Sequence, residues 1–416
     1  MSKERKGSYG LGRGLLILLA FAFLLSLGAK AGAAVIKDEV DMAKVRAKFK
    51  NYPQDPGFFP IAVWLQTIDN APKYKAAGVN TYFALWKGPV EGQIEELKKA
   101  GMYFAGEMNE VALKHKDDNT IIGWFMIDEP DNFQFKNDIE FAGKKWKYGP
   151  ETSRVSAKDL SEMYEAIKAK DSSRPTWLTF SCGVANTMYG GRGGGWKDSM
   201  YPEYMKSCDF VGYDVYPTAS NGGKGGKNLW WQAKGLDRMK GWAGPDKPRY
   251  NCIGTNFIGD GRAPTPEETK AEIWISIVHG TKGLVYFAHS IVPFVEAALA
   301  QDPKQMANVT KINAEIKALA PVINDGVDFS DGASVASSND MVPVDIMVKK
   351  YKDEIYVFAV AMKKGDPTTA TIQVKGVTKP GKVEVIGEGR TLDIDAKGQF
   401  KDEFKTWENH NYKISK

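Results

Sequence analysis

From Phe58 onward the chain keeps repeating one unit: a short apolar run, a polar or glycine-rich loop, then an amphipathic stretch. The runs are FFPIAVWLQ (58–66), VNTYFALW (79–86), MYFAGEMN (102–109), IIGWFMIDEP (121–130), TWLTFSCG (176–183), FVGYDVYP (210–217), RYNCIGTN (249–256) and LVYFAHS (284–290). Continuous apolar strands suit a parallel sheet covered on both faces, and the amphipathic stretches supply its crossovers. Helix signals agree. DNAPKYKAAG and EGQIEELKKAG end in Gly, Ser156 opens 156–170 with Asp159 three residues on, and Thr265, Pro266 and Glu268 read as a capping box. Eight such units in about 270 residues predict a (β/α)8 TIM barrel, whose typical size is ~250 residues. An open doubly wound sheet would carry a glycine-rich phosphate loop after its first strand, where Trp64 to Thr67 stand instead.

The flanks read differently. Lys3, Arg5, Lys6 and Arg13 precede the apolar run 15–27, which ends in small residues around Ala29, Ala31 and Ala33. This predicts a signal peptide over 1–33 and a secreted or periplasmic body; an uncleaved N-terminal anchor is the alternative, although the run is short of the ~20 apolar residues of a full span. With Lys30 and against Glu4, those basic residues account for +4 of the net charge of +5. The nearly neutral remainder offers no footprint for nucleic acid, and no membrane partner is expected once the signal is removed. The barrel domain is expected over 34–325. Beyond it, short alternating runs (VDIMVKK, IYVFAVAM, TATIQVKG, KVEVIGE, TLDI, NYKI) predict a C-terminal antiparallel β-sandwich over 326–416.

Cys182, Cys208 and Cys252 lie in or beside apolar segments and read as buried thiols. With four His and neither CxxC nor HExxH, no metal site is expected. The glycine clusters 190–196 and 221–227 lack P-loop spacing and read as rim loops, and no cofactor is expected.

In such a barrel the active site lies at the C-terminal strand ends. That rule selects Trp64 and Gln66 (strand one), Trp86 (two), Glu107 and Asn109 (three), Asp128 and Glu129 (four), Ser181 (five), Asp214 and Tyr216 (six), Thr255 and Asn256 (seven) and His289 (eight). Carboxylates mixed with Trp and Tyr suit carbohydrate, whose C–H faces stack on rings and whose hydroxyls need polar partners. Each residue also has a plainer reading: Asp214 as an interior hydrogen-bonded group, Glu107 as the partner of a nearby Lys, His289 as a satisfied rim histidine, Trp64 and Trp86 as packing. Strand four is the sharpest signal. In GWFMIDEPDN an apolar run ends in two carboxylates and Pro130 turns the chain out of the strand. Burial and like-charge repulsion would raise one pKa towards what a general acid needs, whereas a strand-end pair that merely orients the loop is the alternative.

FFPIAVWLQTIDNAPKYKAAGVNTYFALW, GWFMIDEP, DFVGYDVYP and PTPEETKAEIWISIVHGTKGLVYFAHS, in that order, resemble the (β/α)8 glycoside hydrolases of clan A, bacterial β-galactosidase and endoglycosidase types in particular. The likeness covers about residues 55–325, and the sandwich is similar to an accessory domain many of them carry. It implies a retaining hydrolase of a polysaccharide or oligosaccharide whose acid/base maps onto Glu129, although Asp128 stands where clan members usually have Asn. The clan's strand-seven nucleophile is a Glu, and here Gly254 falls in its place. Glu267 and Glu268 belong to the next helix start and are not promoted. Three readings stay open: a second carboxylate, Asp214 or Glu107, acts with Glu129, for Asp214 across a water gap that favours inversion; the substrate's own acetamido group assists; or the barrel is a degenerate, non-hydrolytic carbohydrate-binding protein.

Overall fold

The computed structural model describes residues 32–134, 137–141, 144–148, 154–189, 197–219, 226–259 and 261–415. Residues 1–31 of the expected signal peptide, the glycine cluster 190–196 and most of 221–227 lie outside the described residues. Among the described residues no helix is long and apolar enough to cross a membrane.

Eight parallel strands close a barrel in chain order: β1 (Ile61–Gln66), β2 (Thr81–Leu85), β3 (Tyr103–Gly106), β4 (Ile121–Asp128), β5 (Thr176–Phe180), β6 (Phe210–Asp214), β7 (Arg249–Gly254) and β8 (Leu284–Phe287). Leu284 of β8 pairs with Ile61 of β1 and completes the ring. Each strand lies inside one of the eight apolar runs. Outward residues such as Ile61, Val63 and Tyr82 pack on the helices, and inward ones such as Ala62, Phe83 and Phe125 fill the interior. That interior is aromatic: Phe83 meets Phe125 at 5.0 Å and Tyr250 at 5.5 Å, and Trp177 stacks on Phe210 at 4.2 Å. Two strand glycines make room for these rings, since a Cβ would come 2.2 Å from Trp177 Nε1 at Gly123 and 2.3 Å from Tyr250 at Gly212.

The helix Pro266–Val278 begins as its sequence predicts, with Thr265 and Glu268 in a reciprocal capping box. The long helix Pro303–Asp325 leads into the sandwich. There a larger sheet, containing Val344–Tyr351, Glu354–Ala361, Asn409–Ser415, Gly381–Val385 and Arg390–Ile394, faces a smaller one of Ala333–Ser337, Thr368–Val374 and Gln399–Phe404. Ile346, Val357, Ile372 and Phe400 lie in the core between them. The short strand Val35–Ile36 pairs with Ile346 and Met347 and so joins the sandwich, while the helix Met42–Lys48 and the residues to Phe58 pack Phe49, Tyr52 and Phe58 under the barrel floor.

Asp38, between that strand and that helix, ties the parts together. Fully buried, it accepts from Lys282 Nζ just ahead of β8 at 2.5 Å and from Lys349 Nζ of the sandwich at 2.6 Å. Burial raises its pKa, but the two ammonium groups outweigh burial and hold it well below the usual carboxylate range. Burial brings Lys282 down to about 8 against the pull of Asp38. A second clip lies at the end of the helix Pro266–Val278. His279 Nδ1 is 3.0 Å from Asp237 and its Nε2 3.2 Å from Asp345 of the sandwich. Burial lowers its pKa, and the two carboxylates more than reverse that, raising it to about 10.

Two outcomes are expected. Asp38→Asn strands two buried ammonium groups and should cost about 3–5 kcal/mol in urea unfolding, and a loss below about 1 kcal/mol would contradict the clip. His279 has a folded pKa of about 10 against an unfolded value of ~6.5. Its contribution is therefore complete below pH ~6.5, declines as pH rises and is gone above about 10. The unmodified protein should lose melting temperature between pH 7 and 10 relative to His279→Gln, which isolates this group from the opposite trend of Lys282; parallel curves would refute it.

Candidate active site

The end of β4 is shaped by two local departures from regular strand. The register between β4 and β5 shifts between Phe125 and Asp128, and Glu129 adopts φ 45°, left-handed backbone that a side-chain-bearing residue takes up only under constraint. The constraints are visible: Glu129 N–H donates to Thr179 O at 2.9 Å, and its carbonyl accepts from Asn132 N at 3.0 Å and Gln134 Nε2 at 2.8 Å. Asp131 anchors the turn from below. Its buried carboxylate accepts from Ser181 N at 3.0 Å, Ser181 Oγ at 2.7 Å and the Tyr201 hydroxyl at 2.9 Å. Burial pushes its pKa up to about 6 in spite of those bonds.

This turn delivers the Glu129 carboxyl to Asp214 at the end of β6. Asp214 is buried, and burial first, then the charges of Glu129, Asp128 and Asp131 and a hydrogen bond with Glu129, raise its pKa well above the ordinary range. Asn132 Nδ2 donates to Glu129 Oε2 at 3.0 Å. Burial and the neighbouring carboxylates thus make Asp214 keep its proton more readily than an ordinary carboxyl does. The expectation that Asp214 and Glu129 face each other across a water gap fails here, because carboxyls in hydrogen-bond contact leave no room for the ~6.5–9.5 Å that inversion requires.

Trp64, Asp128, Asp214, Tyr216 and Phe287 line a cavity of about 30 Å³ at this end of the barrel. It holds about one water, so a sugar ring would lie above it with only the reacting atoms reaching in. β7 ends at Gly254, and a Cβ there would come 3.0 Å from the buried Tyr216 ring. A Glu side chain could not enter the mouth from this position without displacing Tyr216. Glu268, besides capping its helix, is held by Arg262 at 2.6 Å, and Glu267 is exposed at the same helix start.

The other selected residues fall into two groups. Gln66 and His289 meet at 3.3 Å, Gln66 Nε2 also donates to Glu296 O at 2.7 Å, and the Trp86 ring lies 5.8 Å from that of His289. Burial lowers the pKa of His289. The second group is spent on structure. Asn109 caps the helix Glu110–Lys114 through Ala112 N at 2.9 Å and donates to Pro89 O at 2.8 Å; Asn256 Nδ2 donates to Thr255 Oγ1 at 2.8 Å. Glu107 stands open at the concave rim, close enough to protein that desolvation raises its pKa, and among the described residues it makes no ion pair with a Lys. Cys182, Cys208 and Cys252 are free and buried.

Asp131, Asn132 and Thr179 escaped the strand-end rule. The signal for the first two was the continuation of polar residues beyond Pro130 in DEPDN; for Thr179, whose hydroxyl meets Tyr250 at 2.7 Å inside the barrel, there was none.

No protein-family model matches this sequence. No curated protein matches it either. Solved structures do match in shape. An AmyP variant in complex with maltotriose superposes with a TM-score of 0.53 at 11% identity, covering 88% of this chain and 98% of that one. AmyP in complex with maltose gives 0.51 at 12% identity, covering 87% and 97%. The α-amylase of Geobacillus thermoleovorans complexed with acarbose gives 0.45 at 10% identity, covering 86% and 98%. The chain thus shares with the two AmyP structures a fold built on a (β/α)8 barrel and followed by antiparallel β-sheets.

The protonated state of Asp214 can be observed directly. Infrared difference spectra at pH 7 should contain a protonated-carboxyl C=O band that disappears in Asp214→Asn; no such band in the unmodified protein would mean that the pair is fully ionised.

Proposed function

We propose that this chain is an exported glycoside hydrolase that cleaves O-glycosidic bonds of a polysaccharide or oligosaccharide, with the Glu129–Asp214 pair as its proton donor. The observation that carries this reading is the hydrogen-bonded carboxyl pair at the C-terminal face of a (β/α)8 barrel, in which burial and neighbouring carboxylates raise the proton affinity of Asp214. Glycoside cleavage needs a carboxylic acid that still holds its proton at neutral pH, because the leaving oxygen must be protonated as the C–O bond breaks. Glu129 hands the proton of the pair to that oxygen. The pair is then left with both charges, facing the positive oxocarbenium-like transition state, while Asn132 steadies Glu129; a water adds its oxygen to the anomeric carbon and returns a proton to the pair. Trp64 and Tyr216 offer apolar faces beside the reacting atoms. The basic and apolar N-terminal stretch supports export.

A second reading is a carbohydrate-binding protein without turnover. It is favoured by one observation, Gly254 beneath the Tyr216 ring at the strand-seven position.

Glu129→Gln decides between them. On a panel of aryl glycosides and oligosaccharides, kcat should fall by roughly 10²–10⁴-fold while oligosaccharide binding by calorimetry is kept. Binding without any turnover by the unmodified protein would transfer the assignment to the second reading.

A further inference from the structure

Seven large apolar side chains are exposed among the described residues, and five of them, Val90, Met188, Ile291, Val292 and Phe294, follow β2, β5 and β8 on the catalytic face. Three of the five sit together on one hairpin, Ser290–Ile291 paired with Phe294–Val295, directly after β8. Such a concentration beside a mouth of carboxylates asks for a ligand that is apolar on one face and polar on the other.

The hairpin is held in place. Glu296 at its base accepts from Thr67 N at 2.6 Å through Oε1, and its carbonyl accepts from Gln66 Nε2 at 2.7 Å, which fixes it to the end of β1. Phe294, 52% exposed, stacks on Trp86 from the end of β2 at 5.5 Å and 27°, and on His289 at 5.8 Å and 24°. His289 in turn contacts Phe287, which lines the reacting pocket, at 5.3 Å. Rings therefore run without a break from that pocket to the exposed face of Phe294. The Phe294 ring is oriented before any ligand arrives, so little side-chain freedom is lost on binding.

The geometry points to Phe294, backed by Trp86, as a stacking platform for a neutral pyranose ring on the non-leaving side of the scissile bond. The side follows from the barrel order: β8 lies opposite β4 in the closed ring, and Glu129 on β4 must face the leaving oxygen. A platform above β8 then lies beneath the part of the substrate that does not leave. The class follows from charge and shape. Asp128 and Asp214 line the adjoining pocket and no basic side chain does, which disfavours uronic acids, and the aliphatic edge formed by Ile291 and Val292 suits carbon–hydrogen faces. The assignment of sides rests on the hydrolase reading, whereas the platform itself does not.

The test is calorimetric titration of the full chain with cello-, manno-, malto- and xylotetraose and with tetragalacturonate, alongside initial rates on the aryl glycosides of the same sugars. At least one neutral tetrasaccharide should bind. Phe294→Ala should weaken it roughly three- to tenfold, Phe294→Trp should restore it, and Val327→Ala, an equally exposed change on the sandwich, should leave it unaltered. Equal affinity in Phe294→Ala, no binding of any neutral tetrasaccharide, or a preference for tetragalacturonate would overturn the platform. Phe294-dependent binding with no turnover keeps the platform and removes the hydrolase reading. Turnover whose kcat/KM does not change in Phe294→Ala does the reverse.

Discussion

Asp38 lies fully buried between the ammonium groups of Lys282 and Lys349, and three parts of the chain meet on that one carboxylate: the N-terminal segment, the barrel floor below β8 and the first long strand of the sandwich. Two backbone carbonyls, those of Ile323 and Gly326, take up further protons of the same lysines at 2.8 and 3.1 Å, so the helix Pro303–Asp325 that joins the two halves is pinned where it ends. A buried carboxylate is tolerable only when its charge is answered locally, and here two cations answer it. With the floor fixed and the interior filled by rings from Trp177, Phe210, Phe83 and Tyr250, the strand ends at the other face have little freedom left.

The mouth treats burial of charge in the opposite way. The Asp214 carboxyl is also withdrawn from water, though less completely than Asp38, yet its neighbours are Glu129, Asp128 and Asp131, so burial and like charge together favour keeping a proton where Asp38 has cations instead. One residue type at opposite ends of one barrel thus has its proton affinity shifted in opposite directions by its neighbours. The left-handed backbone of Glu129 belongs to the same arrangement: it is held by Thr179, Asn132, Gln134 and the Asp131 anchor, and it aims the carboxyl at Asp214. Strain concentrated at one strand end and supported from several sides is characteristic of a site whose geometry serves chemistry.

The barrel was legible in the sequence because its strands are apolar on both faces and its helices carry their own stop and start signals, Thr265 and Glu268 among them. Two elements with few buried residues were not. Gln399–Phe404 reads as a charged loop, and only Phe400 and Phe404 point inward; Val35–Ile36 is too short for a period to register. At the candidate site, residue types at strand ends pointed to Trp64, Asp128, Asp214 and Tyr216, which line one pocket, and to Glu129, which hydrogen-bonds Asp214 beside it. Their spacing was beyond reach, because it depends on a register shift in β4 and on the φ of Glu129, which leave no mark on the order of residues. Asn109 shows the converse. An Asn just ahead of Glu110 and an apolar turn is as good a helix cap as a ligand for sugar, and the chain uses it as the cap.

The contact between Asp214 and Glu129 also explains why β7 can end in glycine. A Glu at 254 would bring a further carboxylate into a cavity that already holds Asp128 and Asp214 and is bounded by the apolar surfaces of Trp64, Tyr216 and Phe287. Each added negative charge would raise the proton affinity of the others, so that fewer of them could be ionised together at neutral pH. Tyr216 fills that space instead, 3.0 Å from where a Cβ at Gly254 would stand, and its buried ring shields the pair from water on the β7 side. Placing the partner of Glu129 on β6 and leaving β7 bare are therefore one structural choice, because the mouth has room for a single deeply buried carboxyl beside Glu129.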